Sequence, residues 1–133
     1  MKRVKKTAFN KALIPIDDTR KTPVELEKIM NLAKIYSEYL VFFILIKPRS
    51  SKDKGNDPKL NYLINHLKQI KNTDIRIGVG ANTKKKGLMI YEMAKYHNVD
   101  VIIFSQYGKV KNKYKSFVDQ IIRSINCPVL IIP

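Results

Sequence analysis

The 133-residue sequence has one cysteine, no tryptophan and only five glycines. Because Cys127 has no second cysteine to pair with, we expect no disulfide within the chain. We expect its thiol to have a structural role and the protein to work in a reducing, cytoplasmic setting. The longest apolar run, Leu40 to Ile46, is too short to span a bilayer. The basic segment from Met1 to Lys6 lacks the apolar stretch of a secretory signal. These absences predict a protein with no membrane span.

Acidic residues are also scarce, with 11 against 26 lysines and arginines, so the formal net charge is +15. Such a charge suits nucleic acid, an anionic surface or a nucleotide phosphate as a partner. The lysines nevertheless spread over both termini, the loops and the helices, which favours a compositional origin. Aromatic residues interleave with the basic ones only at Tyr107 and Tyr114. A nucleic-acid or anionic-surface binder therefore stands as an alternative rather than the first hypothesis.

The chain alternates regularly between strand and helix patterns. Its length and 44% hydrophobic content predict one folded domain over 11–133, after a flexible basic lead-in over 1–10. Hairpin signals are missing between the strands, so the fold class is α/β with one doubly wound parallel sheet. Strands are predicted at Ala12–Ile16, Leu40–Ile46, Asp74–Gly80, Val99–Phe104 and Pro128–Ile132, and helices beginning near Thr22, Asp57, Thr83 and Ser116.

Polar residues follow the first and fourth predicted strands, where α/β sheets bind ligands. If these two strands are neighbours, Asp17 can accept hydrogen bonds from a ribose or base. The Gly108 backbone and the Ser116 hydroxyl can hold phosphate, with charge added by the lysines of 109–115. Each residue also has an ordinary structural role, because Asp17 can simply end a strand and Ser116 can cap a helix.

Catalytic and metal motifs are sparse. The sequence contains neither a Walker A loop, nor a GxGxxG after a strand, nor a GxSxG elbow. His66 and His97 have no cysteine or histidine at metal-ligand spacing, and both are predicted to be surface or helix-end residues. We therefore expect no metal site and no enzyme.

Three segments, in order, carry a resemblance to the universal stress protein family: Ala12–Thr19, Val99–Phe104 and Cys127–Ile132. The first is similar to the family's opening strand of aliphatic residues, proline and aspartate, and the last resembles its closing Cys-Pro-Val-Leu strand. The resemblance implies a stress-response or regulatory role with an unidentified protein partner. It also implies a five-stranded sheet of order 3-2-1-4-5 with helices on both faces, the adenine nucleotide alpha hydrolase-like fold.

The same resemblance implies a homodimer that pairs along the last strand. An apolar strand at the edge of a sheet would otherwise be exposed, which agrees with this expectation. The interface would be formed by Val129, Leu130, Ile131 and Ile132.

Family members that bind ATP resemble one another in a loop of the form Gly-x2-Gly-x9-Gly-Ser/Thr. Here Ser105 and Lys115 replace two of the glycines, and the spacer is six residues, Lys109 to Tyr114. Because glycine lets backbone amides approach phosphate closely, we expect ATP or AMP, with Mg, to bind weakly or not at all. The alternative is an ATP binder with a lysine-substituted loop. A retained site would comprise Pro15, Ile16, Asp17, Phe104, Ser105, Gly108, Lys115, Ser116 and Phe117.

Overall fold

The computed structural model describes residues 7–16, 23–46, 58–79, 83–105, 123 and 126–132. The predicted helix at Ser116 lies outside these residues. Within them, no helix is long and apolar enough to cross a membrane. The elements are β1 (Phe9–Ile16), α1 (Pro23–Tyr36), β2 (Ser37–Ile46), α2 (Pro58–Lys68), β3 (Thr73–Val79), α3 (Thr83–His97), β4 (Val101–Ser105) and β5 (Val129–Ile132).

The five strands form one sheet of order β3-β2-β1-β4-β5, and all four pairings are parallel. This confirms the predicted fold class and strand order. The continuous apolar runs of β1 and β2 lie at the centre, as expected of strands buried on both faces. β3 lies at an edge, and Arg76 and a glycine in its sequence suit an edge or partly exposed strand.

Two apolar layers lie on opposite faces of the sheet, because alternate residues of each strand point to opposite sides. On one face, Ile29 and Ala33 of α1 pack with Leu63 and Leu67 of α2. On the other face, α3 contributes Ile90 and Ala94. Helices therefore cover both faces, as predicted.

The strands begin at different residues from those predicted. β1 starts at Phe9 rather than Ala12, and β2 starts at Ser37 rather than Leu40. Apolar runs identify only the buried part of a strand, and the first residues of both strands are mostly half-buried or exposed. β4 starts later than predicted, at Val101, because Asp100 turns back to bond with the start of β1.

Candidate functional site

β1 and β4 are neighbours, so their carboxyl ends share one edge of the sheet. From β1 the chain adds β2 and β3 on one side, and it then returns to add β4 and β5 on the other. The boundary between β1 and β4 is thus the switch point, where sheets of this kind bind ligands. This confirms the premise of the predicted crevice, since Ile16 and Ser105 are the last residues of adjacent strands.

The predicted site residues within the described part of the chain lie at these two strand ends. Pro15 and Ile16 are the last two residues of β1, and Phe104 and Ser105 are the last two of β4. Ile16 packs in the layer under α1 and α2, and Phe104 in the layer under α3, each 1% exposed. A ligand between the strands would meet the backbone of these residues. The other predicted residues, Asp17, Gly108, Lys115, Ser116 and Phe117, lie outside the described residues.

Hydrogen-bonded pairing differs between the two sides of β1. Toward β2 the registered pairs continue to the end of the strand, at Ile16 with Ile44. Toward β4 they comprise only Ala12 with Val101 and Leu13 with Ile102, although both strands run on. The ladder at the switch point therefore stops before the strands do.

A second polar constellation lies at the opposite, amino edge of the sheet. The Asp100 carboxylate accepts hydrogen bonds from the backbone amides of Asn10 and Lys11, both at 2.8 Å. The Asp100 amide donates to the Lys11 carbonyl at 3.0 Å. The Lys11 ammonium donates to the His97 carbonyl at 3.2 Å and lies 5.5 Å from the centre of the Tyr39 ring. These contacts fasten the connection between α3 and β4 to the start of β1.

Sequence reasoning missed this constellation, because its hydrogen-bonded partners are 86 to 90 positions apart in the chain. Only the pairing of β1 with β4 brings them together. Asp100 belonged to a predicted buried strand, where a carboxylate is unusual. That misfit was the one signal in the sequence that Asp100 had a special role.

His97 ends α3, as predicted, and its Nε2 atom is buried without a hydrogen-bond partner. Desolvation is the main cause that lowers the pKa of this imidazole below its ordinary value of 6.5. The positive charges of Arg76 and Lys11 lower it further, while Asp74 acts in the opposite direction. The Tyr96 ring meets the imidazole edge-on, with the ring centres 5.0 Å apart. The folded protein therefore favours neutral His97.

We expect the lowered pKa of His97 to make the protein less stable as the pH falls below 6.5. In that range the unfolded chain takes up a proton that the folded protein resists. The contribution of neutral His97 to stability is therefore complete above pH 6.5, and it is lost as the pH falls through the folded-state pKa. Urea unfolding at pH 7.5, 6.5 and 5.5 measures this loss. His97→Gln should flatten the profile, whereas His66→Gln should leave its slope in place. An unchanged slope in His97→Gln would assign the pH dependence to other groups.

Cys127 is half-buried and free. Burial raises the pKa of its thiol, and the Asp100 carboxylate raises it further, so the thiol stays protonated and is a poor nucleophile. Among the described residues, no group of His, Cys, Asp and Glu side chains could hold a metal ion.

An open groove of about 190 Å³ lies beside the Cys127 thiol, at the edge of the sheet opposite the switch point. It is lined by Ala94, Lys95, Asn98, Val99, Asn126 and Cys127.

No protein-family model matches the sequence, and no curated protein matches it. Solved structures match it over nearly its whole length. The hypothetical protein MJ0577 superposes with a TM-score of 0.62 at 20% identity, covering 95% of this chain and 96% of that one. UspA from Lactobacillus plantarum gives 0.62 at 14% identity, covering 96% and 100%. A universal stress protein solved in complex with cAMP gives 0.55 at 16% identity, covering 96% and 99%.

At these identities the likeness establishes the fold. The chain has the α/β fold of universal stress protein structures, from its first strand to its last. The resemblance inferred from three short segments is thereby confirmed at the level of the fold, with the predicted strand order.

Proposed function

We propose that this chain is a universal stress protein-like regulatory protein that acts by binding rather than by turnover. The observation that carries the proposal is the position of β1 beside β4 in a sheet with the fold of universal stress protein structures. One protein of this fold was solved with cAMP bound, which supports an adenine nucleotide as the ligand class. The lone cysteine supports a reducing, cytoplasmic setting.

Nucleotide binding is proposed to be weak or lost. Ser105 and Lys115 stand where the ATP-binding form of the loop has glycines, and any side chain at these positions would obstruct close approach of phosphate to backbone amides. The charge of Lys109, Lys111 and Lys113 supports the alternative, in which lysines replace those amides and ATP still binds with Mg. We propose no catalytic residue, and at most very slow ATP hydrolysis.

A thermal-shift titration tests the nucleotide proposal. With Mg-ATP, ADP, AMP or cAMP at 1 mM, weak binding predicts a rise in Tm of less than about 2 °C. Asp17→Ala should remove any such rise. A large, salt-resistant rise that Asp17→Ala abolishes would contradict weak binding and favour the lysine-substituted ATP site. A rise shared with polyphosphate and erased at about 0.5 M salt would favour the anionic-surface alternative.

A homodimer through β5 is the second part of the proposal. β5 is an edge strand of the sheet, and its outer side has no partner among the described strands. Ile131 is 48% exposed, whereas Ile132 is buried in the core, and Val129 and Leu130 are half-buried. A second copy of the chain pairing along Val129–Ile132 would cover both the apolar side chains and the free backbone groups.

We expect Ile131→Glu to convert the dimer to a monomer, because two unpaired carboxylates would have to be buried in the interface. Size-exclusion chromatography with light scattering measures the mass. Ile77→Glu is the matched control, since Ile77 is 46% exposed on the opposite edge strand, β3. The control should remain dimeric. A monomeric wild type would contradict the proposed dimer. Loss of the dimer in Ile77→Glu alone would place the interface elsewhere.

A further inference from the structure

The early end of the ladder between β1 and β4 has a local chemical cause. In a parallel sheet, the N–H and C=O of one residue point toward the same neighbouring strand, and residues two apart point the same way. The Lys11 backbone faces β4, because its carbonyl accepts from the Asp100 amide and its amide donates to the Asp100 carboxylate. Leu13 and Pro15 must therefore face β4 as well.

The register identifies the hydrogen bond that is missing. The pairs of Ala12 with Val101 and Leu13 with Ile102 place the Leu13 amide opposite the Val101 carbonyl. The next donor on this side of β1 is residue 15, and the next acceptor on β4 is the Ile103 carbonyl. Proline has no N–H, so Pro15 cannot make this bond, and the paired ladder is interrupted at this position.

The position of Pro15 makes this omission unusual. Proline in sheets is confined mainly to edge strands, first residues and bulges, whereas β1 is the central strand of this sheet. Ile103 is fully buried, so its carbonyl loses a ladder donor where water does not replace it easily. The other side of β4 stays paired with β5 up to Ser105 with Ile132, and the other side of β1 stays paired with β2 up to Ile16 with Ile44.

We propose that Pro15 is a positioning residue that uncouples the carboxyl ends of β1 and β4. By omitting the bond to Ile103 it removes one of the hydrogen bonds that would hold the last residues of the two strands together at the switch point. The crevice can then admit a ligand between strand ends that a complete ladder would hold together. The ligand part of this inference rests on the proposed nucleotide site, whereas the ladder part does not.

Pro15→Ala and Pro15→Val restore an N–H at this position and test the inference. We expect NMR to show a scalar coupling across a new hydrogen bond from the residue 15 amide to the Ile103 carbonyl. The new amide and that of Ser105 should exchange with solvent about tenfold more slowly than loop amides. Pro58→Ala is the control for the general effect of removing proline, because Pro58 is the first residue of α2, where an N–H has no partner in the helix.

The ligand readout is the nucleotide-induced change in Tm or in amide chemical shifts. We expect both Pro15 variants to weaken binding at least about threefold, with Pro58→Ala unchanged. A residue 15 amide that exchanges rapidly in both variants, with no coupling, would overturn the inference. So would unchanged binding despite the new bond. If the wild type binds no nucleotide, the proposed function fails, and the coupling and exchange of the apo protein alone decide whether Pro15 uncouples the strands.

Discussion

Gly78→Val is expected to destabilise the protein by about 3 kcal/mol, and Gly78→Ala by about half as much, because both overpack the core. A Cβ atom at Gly78 would lie 2.6 Å from Cζ of Phe43 and 2.6 Å from Cε of Met89. Met89 can swing its terminal methyl group away. The Phe43 ring is 1% exposed and packed in the layer under α3, so it determines the cost. Urea denaturation followed by circular dichroism measures the free energy of unfolding.

A double-mutant cycle with Phe43→Leu shows whether the ring is the obstacle. The smaller side chain destabilises the protein by itself, but it also makes room for a methyl group at residue 78. We therefore expect Gly78→Ala to cost at least about 1 kcal/mol less in the Phe43→Leu background than in the wild type. Additive effects of the two substitutions would show that backbone preference in β3, rather than contact with Phe43, limits residue 78.

Asp100→Ala is expected to destabilise the protein by about 2–3 kcal/mol, because it removes two charge-assisted hydrogen bonds. The Asn10 and Lys11 amides would each lose an acceptor at 2.8 Å, whereas the backbone bond from the residue 100 amide to the Lys11 carbonyl would remain. Asp100→Asn keeps one acceptor oxygen and should cost about half as much. Chemical denaturation of the three proteins at pH 7 gives the comparison.

Asp74→Ala is the matched control for the Asp100 prediction. Asp74 is the second residue of β3, and its partner is the exposed guanidinium of Arg76 at 3.3 Å. It also accepts from the amide of its neighbour Ile75 at 2.9 Å. Exposed ion pairs contribute little, so we expect a loss below about 1 kcal/mol. Equal losses at Asp74 and Asp100 would show that net charge, rather than the amide bonds, determines the effect.

The predicted elements agree with the structure where burial is uniform. The continuous apolar runs of Leu40–Ile46 and Val101–Phe104 have one structural solution, a strand covered on both faces. Helices α1, α2 and α3 begin at Pro23, Pro58 and Thr83, as the cap residues and prolines before their apolar stripes indicated. The strand starts were predicted less well, because Asn10 and Glu38 are exposed ends that an apolar run does not reveal.

The sequence by itself determined the alternation of strands and helices, the two-sided burial of the central strands, and the absence of a disulfide. These properties depend on residues that are close together in the chain. The strand order was inferred from family resemblance, since periodicity does not specify which strands pair. Only the tertiary structure placed Asp100 against Lys11, 89 positions away, and directed the Pro15 backbone toward β4. Hydrogen bonds between strands depend on register, and register becomes defined only when distant segments of the chain pack into one sheet.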